Sequence, residues 1–144
     1  VGKVTFTEAY KAVNEYRQKF PQKAVTFYAQ NYPAMGWAVF MAGGSCPVIP
    51  CTDKAFLKDA AAMEVEETNT DEYKKMVKSD IGSIIYSKSE TEIPVQLSSG
   101  KYVLKYIHPA SGKIETINKS LKINGLYNLK VPDKKEGIYW FHKL

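Results

Sequence analysis

General acid and base work by carboxyl groups requires a pair that face each other across the reacting bond. The carboxylates here do not suggest such a pair. Glu8 and Glu15 fall in a helical pattern and face solvent. Glu64, Glu66 and Glu67 belong to a polar charge run, which is ordinarily just solvated. Neutral groups offer a different chemistry. Gln30, Asn31 and Tyr32 follow an apolar run and can give hydrogen bonds and stacking to a sugar, because an amide both donates and accepts. A second account fits the same residues: Asn31 caps a helix and Tyr32 packs over it. Trp140 sits in IYWFHKL, where alternation sends Tyr139 and Phe141 to one face and Trp140 to the other. It is therefore a candidate ligand or inter-domain contact, with packing inside a sheet as its simpler role. Trp37, in the middle of an uncharged helix, reads as core.

His108 and His142 lack a third ligand at a recognisable spacing, so neither a metal nor a cofactor is expected. The Cys46 and Cys51 spacing is not CxxC, and Pro47 and Pro50 favour an extended path between them, so two free, largely buried thiols are expected. There is no GxSxG elbow and no glycine-rich phosphate loop.

The elements that would position these groups change character along the chain. Ala9, Ala12, Val13, Tyr16 and Phe20 make one apolar stripe on a helix over about 8–20. Thr5 and Glu8 have the spacing of a capping box, and Pro21 stops the helix. Lys23–Ala29 reads as a strand, giving the αβ rhythm of a parallel sheet. Pro33 then opens a helix that Gly43 and Gly44 end. Its interior, AMGWAVFMA, carries no charge and must be covered on all sides. Asp53 reads as the N-cap of a third helix with Phe56, Leu57, Ala60 and Ala61 on one face. Residues 64–80 read as a polar linker with a short helix over Asp71–Val77. From Gly82 the period becomes two, in six short runs separated by turn residues, with Pro94 marking an edge or bulge and His108–Gly112 a tight turn.

The expected fold is therefore α+β: a short α/β N-terminal part over 1–80, then an antiparallel β-sandwich over 81–144. Composition is that of an ordinary globular chain, 44% hydrophobic and 24% charged. No stretch has the roughly 20 unbroken apolar residues of a membrane span. The net charge of +5 resides entirely in residues 81–144, with ten basic and five acidic groups against ten and ten before them. These lysines are scattered singly along strands, which argues for a solvated face and against nucleic acid.

GSIIYSKSE, GKYVLKYIHPASGKIETIN and the run to VPDKKEGIYWFHKL resemble the C-terminal β-sandwich of many bacterial glycoside-hydrolase-like proteins. NYPAMGWAVFMAGGS is similar to the end of the (β/α)8 barrel that precedes it in those relatives. His108 stands where an acidic residue is usual in the family's turn. The resemblance implies the closing elements of a barrel plus a bracing accessory sandwich, with most of any catalytic apparatus on other residues. It also implies a periplasmic or secreted location and, as partners, the remainder of a barrel or a second polypeptide, and a polysaccharide. The alternative is a self-contained carbohydrate- or protein-binding module. A barrel remnant would leave Phe27, Trp37 and Phe40 exposed unless another polypeptide covered them, whereas a module would bury them.

Overall fold

The computed structural model describes residues 4–27, 33–89 and 92–144. It is an α+β protein with three short helices and one six-stranded antiparallel sheet. The chain forms two compact units, Val1–Pro50 and Cys51–Leu144.

In the first unit, α1 spans Phe6–Lys19. The expected capping box is formed: Glu8 N–H donates to Thr5 Oγ1 at 3.2 Å, and Thr5 N–H donates to Glu8 Oε2 at 2.8 Å. Two orphan donors of the first turn are thus satisfied reciprocally. The buried face differs from the expected stripe. Phe6, Ala9, Tyr10 and Val13 are inside, whereas Tyr16 and Phe20 are exposed. The helix buries its first two turns and leaves the last open.

Helix α2 spans Pro33–Met41. It ends as the two glycines dictate, in a Schellman motif. Gly43, at φ 70°, donates to the Phe40 carbonyl, and Gly44 donates to that of Val39. Arg17 Nη1 reaches from α1 to the Ala42 carbonyl at 3.0 Å. Trp37 and Phe40 meet edge to face with centroids 5.5 Å apart, and both are buried; Phe27 is half-buried. The strand expected over Lys23–Ala29 is absent from its described part. Residues 24–27 run without ladder partners, apart from a Val25 carbonyl that accepts from Ser45 N–H at 2.7 Å. A nearly continuous apolar run suits either a buried strand or a packed loop, and periodicity alone does not separate them.

The second unit opens with α3, Lys54–Ala62, capped by Asp53, whose Oδ1 accepts from Phe56 N–H at 2.9 Å. Its strands are β1 (Glu64–Glu66), β2 (Tyr73–Lys78), β3 (Gly82–Ser87), β4 (Glu92–Ile107), β5 (Ile114–Lys130) and β6 (Gly137–Lys143). Their order is β1-β2-β3-β6-β4-β5, so the last strand in sequence lies between β3 and β4.

The interval 64–80 is not a linker, and its expected helix is strand β2. Both β1 and β2 belong to the sheet, which moves the division of the chain from residue 80 to residue 50. The cause is Lys74. It occupies an inward position beside Met76 and is buried, with Nζ donating to Thr68 Oγ1, the Thr70 carbonyl and Asp71 Oδ1 at 3.2–3.3 Å. A lysine on the inward face hides the period of two.

Four of the expected runs merge into the two long strands of one hairpin. Along β4, buried residues fall first at Ile93, Val95 and Leu97, then at Tyr102, Leu104 and Tyr106. The parity switches across Ser98–Lys101, where the register with β5 shifts. Such a bulge bends the strand, and both halves contribute to one core with Ile85, Tyr139 and Phe141. The sheet is thereby sandwich-like. Pro94 lies in the half of β4 that pairs with β5 alone, an edge-like place suited to a residue without an N–H. The turn at His108–Gly112 forms as expected, closed by His108 N–H on the Lys113 carbonyl at 2.9 Å.

Candidate functional site

Gln30, Asn31 and Tyr32 lie outside the described residues. Trp140 is described, and its exposure is 0%. Alternation along β6 sends it to the sheet face opposite Tyr139 and Phe141, as expected, and α3 covers that face. Phe56 meets the indole edge to face at 5.3 Å, and Lys105 Nζ sits 4.7 Å above the ring. With no open face, the indole is a core group of this unit.

Its polar edge leads to the group with the most chemistry. Trp140 Nε1 donates to Asp59 Oδ2 at 2.9 Å, and His142 Nδ1 lies 2.7 Å from the same oxygen. Asp59 is 6% exposed, on the inner face of α3, while the His142 side chain is 34% exposed. Helical spacing brings this about: Phe56, Asp59, Ala60 and Met63 are the buried positions, at i, i+3, i+4 and i+7. The stripe expected from Leu57 and Ala61 is thus rotated by one residue, with both of those exposed. The only signal of Asp59 in the sequence is an acidic residue at the i+3 position of an apolar stripe.

A carboxylate that orients an imidazole is the supporting half of an acid–base pair. Among the described residues no hydroxyl or thiol bonds to His142, so no nucleophile completes it. The carboxylate is instead divided between two donors and ties α3 to β6. Burying a charge is costly unless it is paired, and here it is paired twice. Among the described residues, no group of three or more His, Cys, Asp or Glu could hold a metal ion.

A second polar cluster closes the other end of β6. Tyr86 donates its hydroxyl to Glu136 Oε1 at 2.7 Å, Tyr106 to the Glu136 carbonyl at 2.5 Å, and Tyr139 to the Lys135 carbonyl at 2.8 Å. Burial pushes all three phenols above their ordinary range. The Glu136 charge adds to the effect at Tyr86, and that of Glu115 at Tyr106. His108 Nε2 lies 3.2 Å from Glu115 Oε1. His108 first, then Lys113 and Lys135, hold the Glu115 carboxyl below the usual carboxylate range. The tyrosine bonds tie residues 135–136, in the loop before β6, to β3, β4 and β6.

In the first unit, the open end of α1 borders a groove of about 390 Å³ with Tyr16, Phe20, Val25 and Phe27 in its walls. Among the described residues that line it, Lys23 is the one charged group. The thiols are free as expected, but only Cys51 is buried; Cys46 is exposed.

Residues 1–63 match a family model described as a domain of unknown function (DUF6298). The match ends where α3 gives way to β1, so the strands of the sheet lie beyond it. No curated protein matches the chain. No helix among the described residues is long and apolar enough to cross a membrane.

Proposed function

We propose that this chain is a non-catalytic part of a glycoside-hydrolase-like protein, its β-rich unit serving as an accessory domain that braces a (β/α)8 barrel. The observation that carries this reading is the engagement of Asp59. The buried carboxylate, which would otherwise be the first candidate for acid–base work, is consumed in fixing α3 to β6 through Trp140 and His142. Glu136 and Glu115 are similarly bound to neighbouring side chains, and Glu66 pairs with Lys75. The sandwich-like bend of β4 and β5 suits the resemblance carried by GKYVLKYIHPASGKIETIN. A periplasmic or secreted location and polysaccharide as the partner of the larger protein belong to the same reading.

A second reading, a self-contained carbohydrate- or protein-binding module, is favoured by one observation. Trp37 and Phe40, which a barrel remnant would expose, are buried.

The test is light scattering and native mass spectrometry of the 144-residue chain, beside a reducing-sugar assay on neutral polysaccharides. The accessory reading expects association, or a co-purifying longer polypeptide, and no release of sugar. A clean, cooperatively unfolding monomer turns the assignment to the module. Release of reducing ends that is lost on carboxylate substitution would overturn both.

A further inference from the structure

Along β5, buried and exposed residues alternate from Leu121 to Lys130, so Lys122, Asn124, Leu126, Asn128 and Lys130 form one outward row about 27 Å long. Beside it on β4 stand Gln96, opposite Leu126, and Lys101, opposite Lys122. Leu126 is 63% exposed, and the others named are also exposed.

Two features of this face are unusual. Lys101 and Lys122 are a directly opposed pair of like charge, an arrangement that destabilises an antiparallel ladder. Moreover, neither 93–107 nor 116–131 contains an acidic residue that would compensate it, and Lys105 and Lys119 add to the same field. A like-charge pair kept on an open ribbon is relieved when an anion bridges it. Between that pair and Lys130, which stands opposite Glu92 at the far end of the ladder, the face carries the amides Asn124, Asn128 and Gln96, which both donate to and accept from hydroxyl groups, around the apolar Leu126.

We propose that the outward face of the β4–β5 ribbon binds an extended acidic polysaccharide, Lys101 and Lys122 together holding a sugar carboxylate while Asn124, Asn128 and Gln96 hydrogen-bond the hydroxyls. The proposal rests on the carbohydrate reading above and names its substrate class. Charge complementarity and the run of amides favour this occupant over nucleic acid. Single-stranded nucleic acid is gripped by stacking aromatics and arginine, and this row has neither.

The test is affinity electrophoresis of the whole chain in gels containing polygalacturonate, with neutral xylan and single-stranded DNA in parallel. The wild type is retarded by polygalacturonate, and the retardation falls as salt rises. K101E/K122E loses at least roughly tenfold in affinity. N124A/N128A weakens binding without changing net charge. K122A weakens binding yet leaves thermal stability equal to or above that of the wild type, an outcome that a purely structural lysine would not give. Absence of retardation, or an unchanged K101E/K122E, overturns the proposal. Equal affinity for single-stranded DNA also overturns it, in favour of a generic polyanion surface. Retention by xylan alone overturns this inference and leaves the carbohydrate reading standing.

Discussion

Asp59 Oδ2 accepts from Trp140 Nε1 at 2.9 Å while lying 2.7 Å from His142 Nδ1, so one oxygen joins helix α3 to two residues of strand β6. Asp59→Ala leaves the buried indole N–H without an acceptor, and a destabilisation of about 3 kcal/mol is expected from two lost charge-assisted bonds. W140F removes one donor and also leaves a cavity where the second ring of the buried indole packed, so a loss of comparable size, about 2–4 kcal/mol, is expected. Urea unfolding of the two single variants and the double variant tests this. Strictly additive losses would show that the two groups are not coupled as the geometry requires.

Gly36 sets two effects of opposite sign against each other. Alanine in a helix interior gains about 1 kcal/mol over glycine. A Cβ at this position, however, would lie 1.7 Å from the Val48 carbonyl oxygen, a backbone atom that cannot swing aside. Overpacking of that kind costs about 1–3 kcal/mol or more, so Gly36→Ala is expected to lower the melting temperature. An increase would mean that the backbone at Val48 yields.

Alkaline pH should weaken the fold through Tyr86 and Tyr139. Burial raises both phenols, and at Tyr86 Glu136 raises the value further. The unfolded chain releases these protons first, at about pH 10. Stability is therefore complete below that pH and falls as pH rises toward the folded-state values. Absorbance at 295 nm should show these phenols silent until unfolding, with Y86F and Y139F each flattening the decline. A full tyrosinate signal from native protein at pH 11 would contradict this.

Thiol chemistry should separate the two cysteines. Burial pushes the Cys51 thiol up, whereas Cys46 is exposed. Ellman's reagent should react with one thiol in the folded chain and two in urea, and C46S should abolish the fast phase. Equal rates for both would place Cys51 nearer to solvent than its burial indicates.

Local signals with a single physical meaning were legible in the sequence. Thr5 and Glu8 had the spacing of a capping box and form one, Gly43 and Gly44 ended α2, and Asp53 began α3. The period of two from Gly82 announced the antiparallel sheet. Apart from the apolar run after α1, which forms no strand over 24–27, the misread faces involve a polar residue turned inward or an apolar one turned outward. Lys74 concealed β2, Asp59 rotated the apparent face of α3, and Tyr16 with Phe20 prolonged a stripe that the fold does not bury. Asp59 finds its two donors more than 80 residues away, whereas the three oxygens around Lys74 lie within six residues of it and are gathered by a loop geometry that no helical or strand spacing announces. The corner in β4 was also hidden, because the parity change across Ser98–Lys101 looks like a turn between two strands and is a bulge within one.

The position of β6 in the sheet carries a consequence for how the molecule is made. Until Lys143 has emerged from the ribosome, β1-β2-β3 and the β4–β5 hairpin are two separate ribbons, each with an unfilled side where β6 belongs. Nothing synthesised earlier can close the gap, since Ile138 to Phe141 supply the buried middle of the sheet. The β-rich unit is thus obliged to fold after its translation, as a single late event, and a nascent chain stalled before Gly137 would hold two sticky half-sheets instead of a partly finished domain.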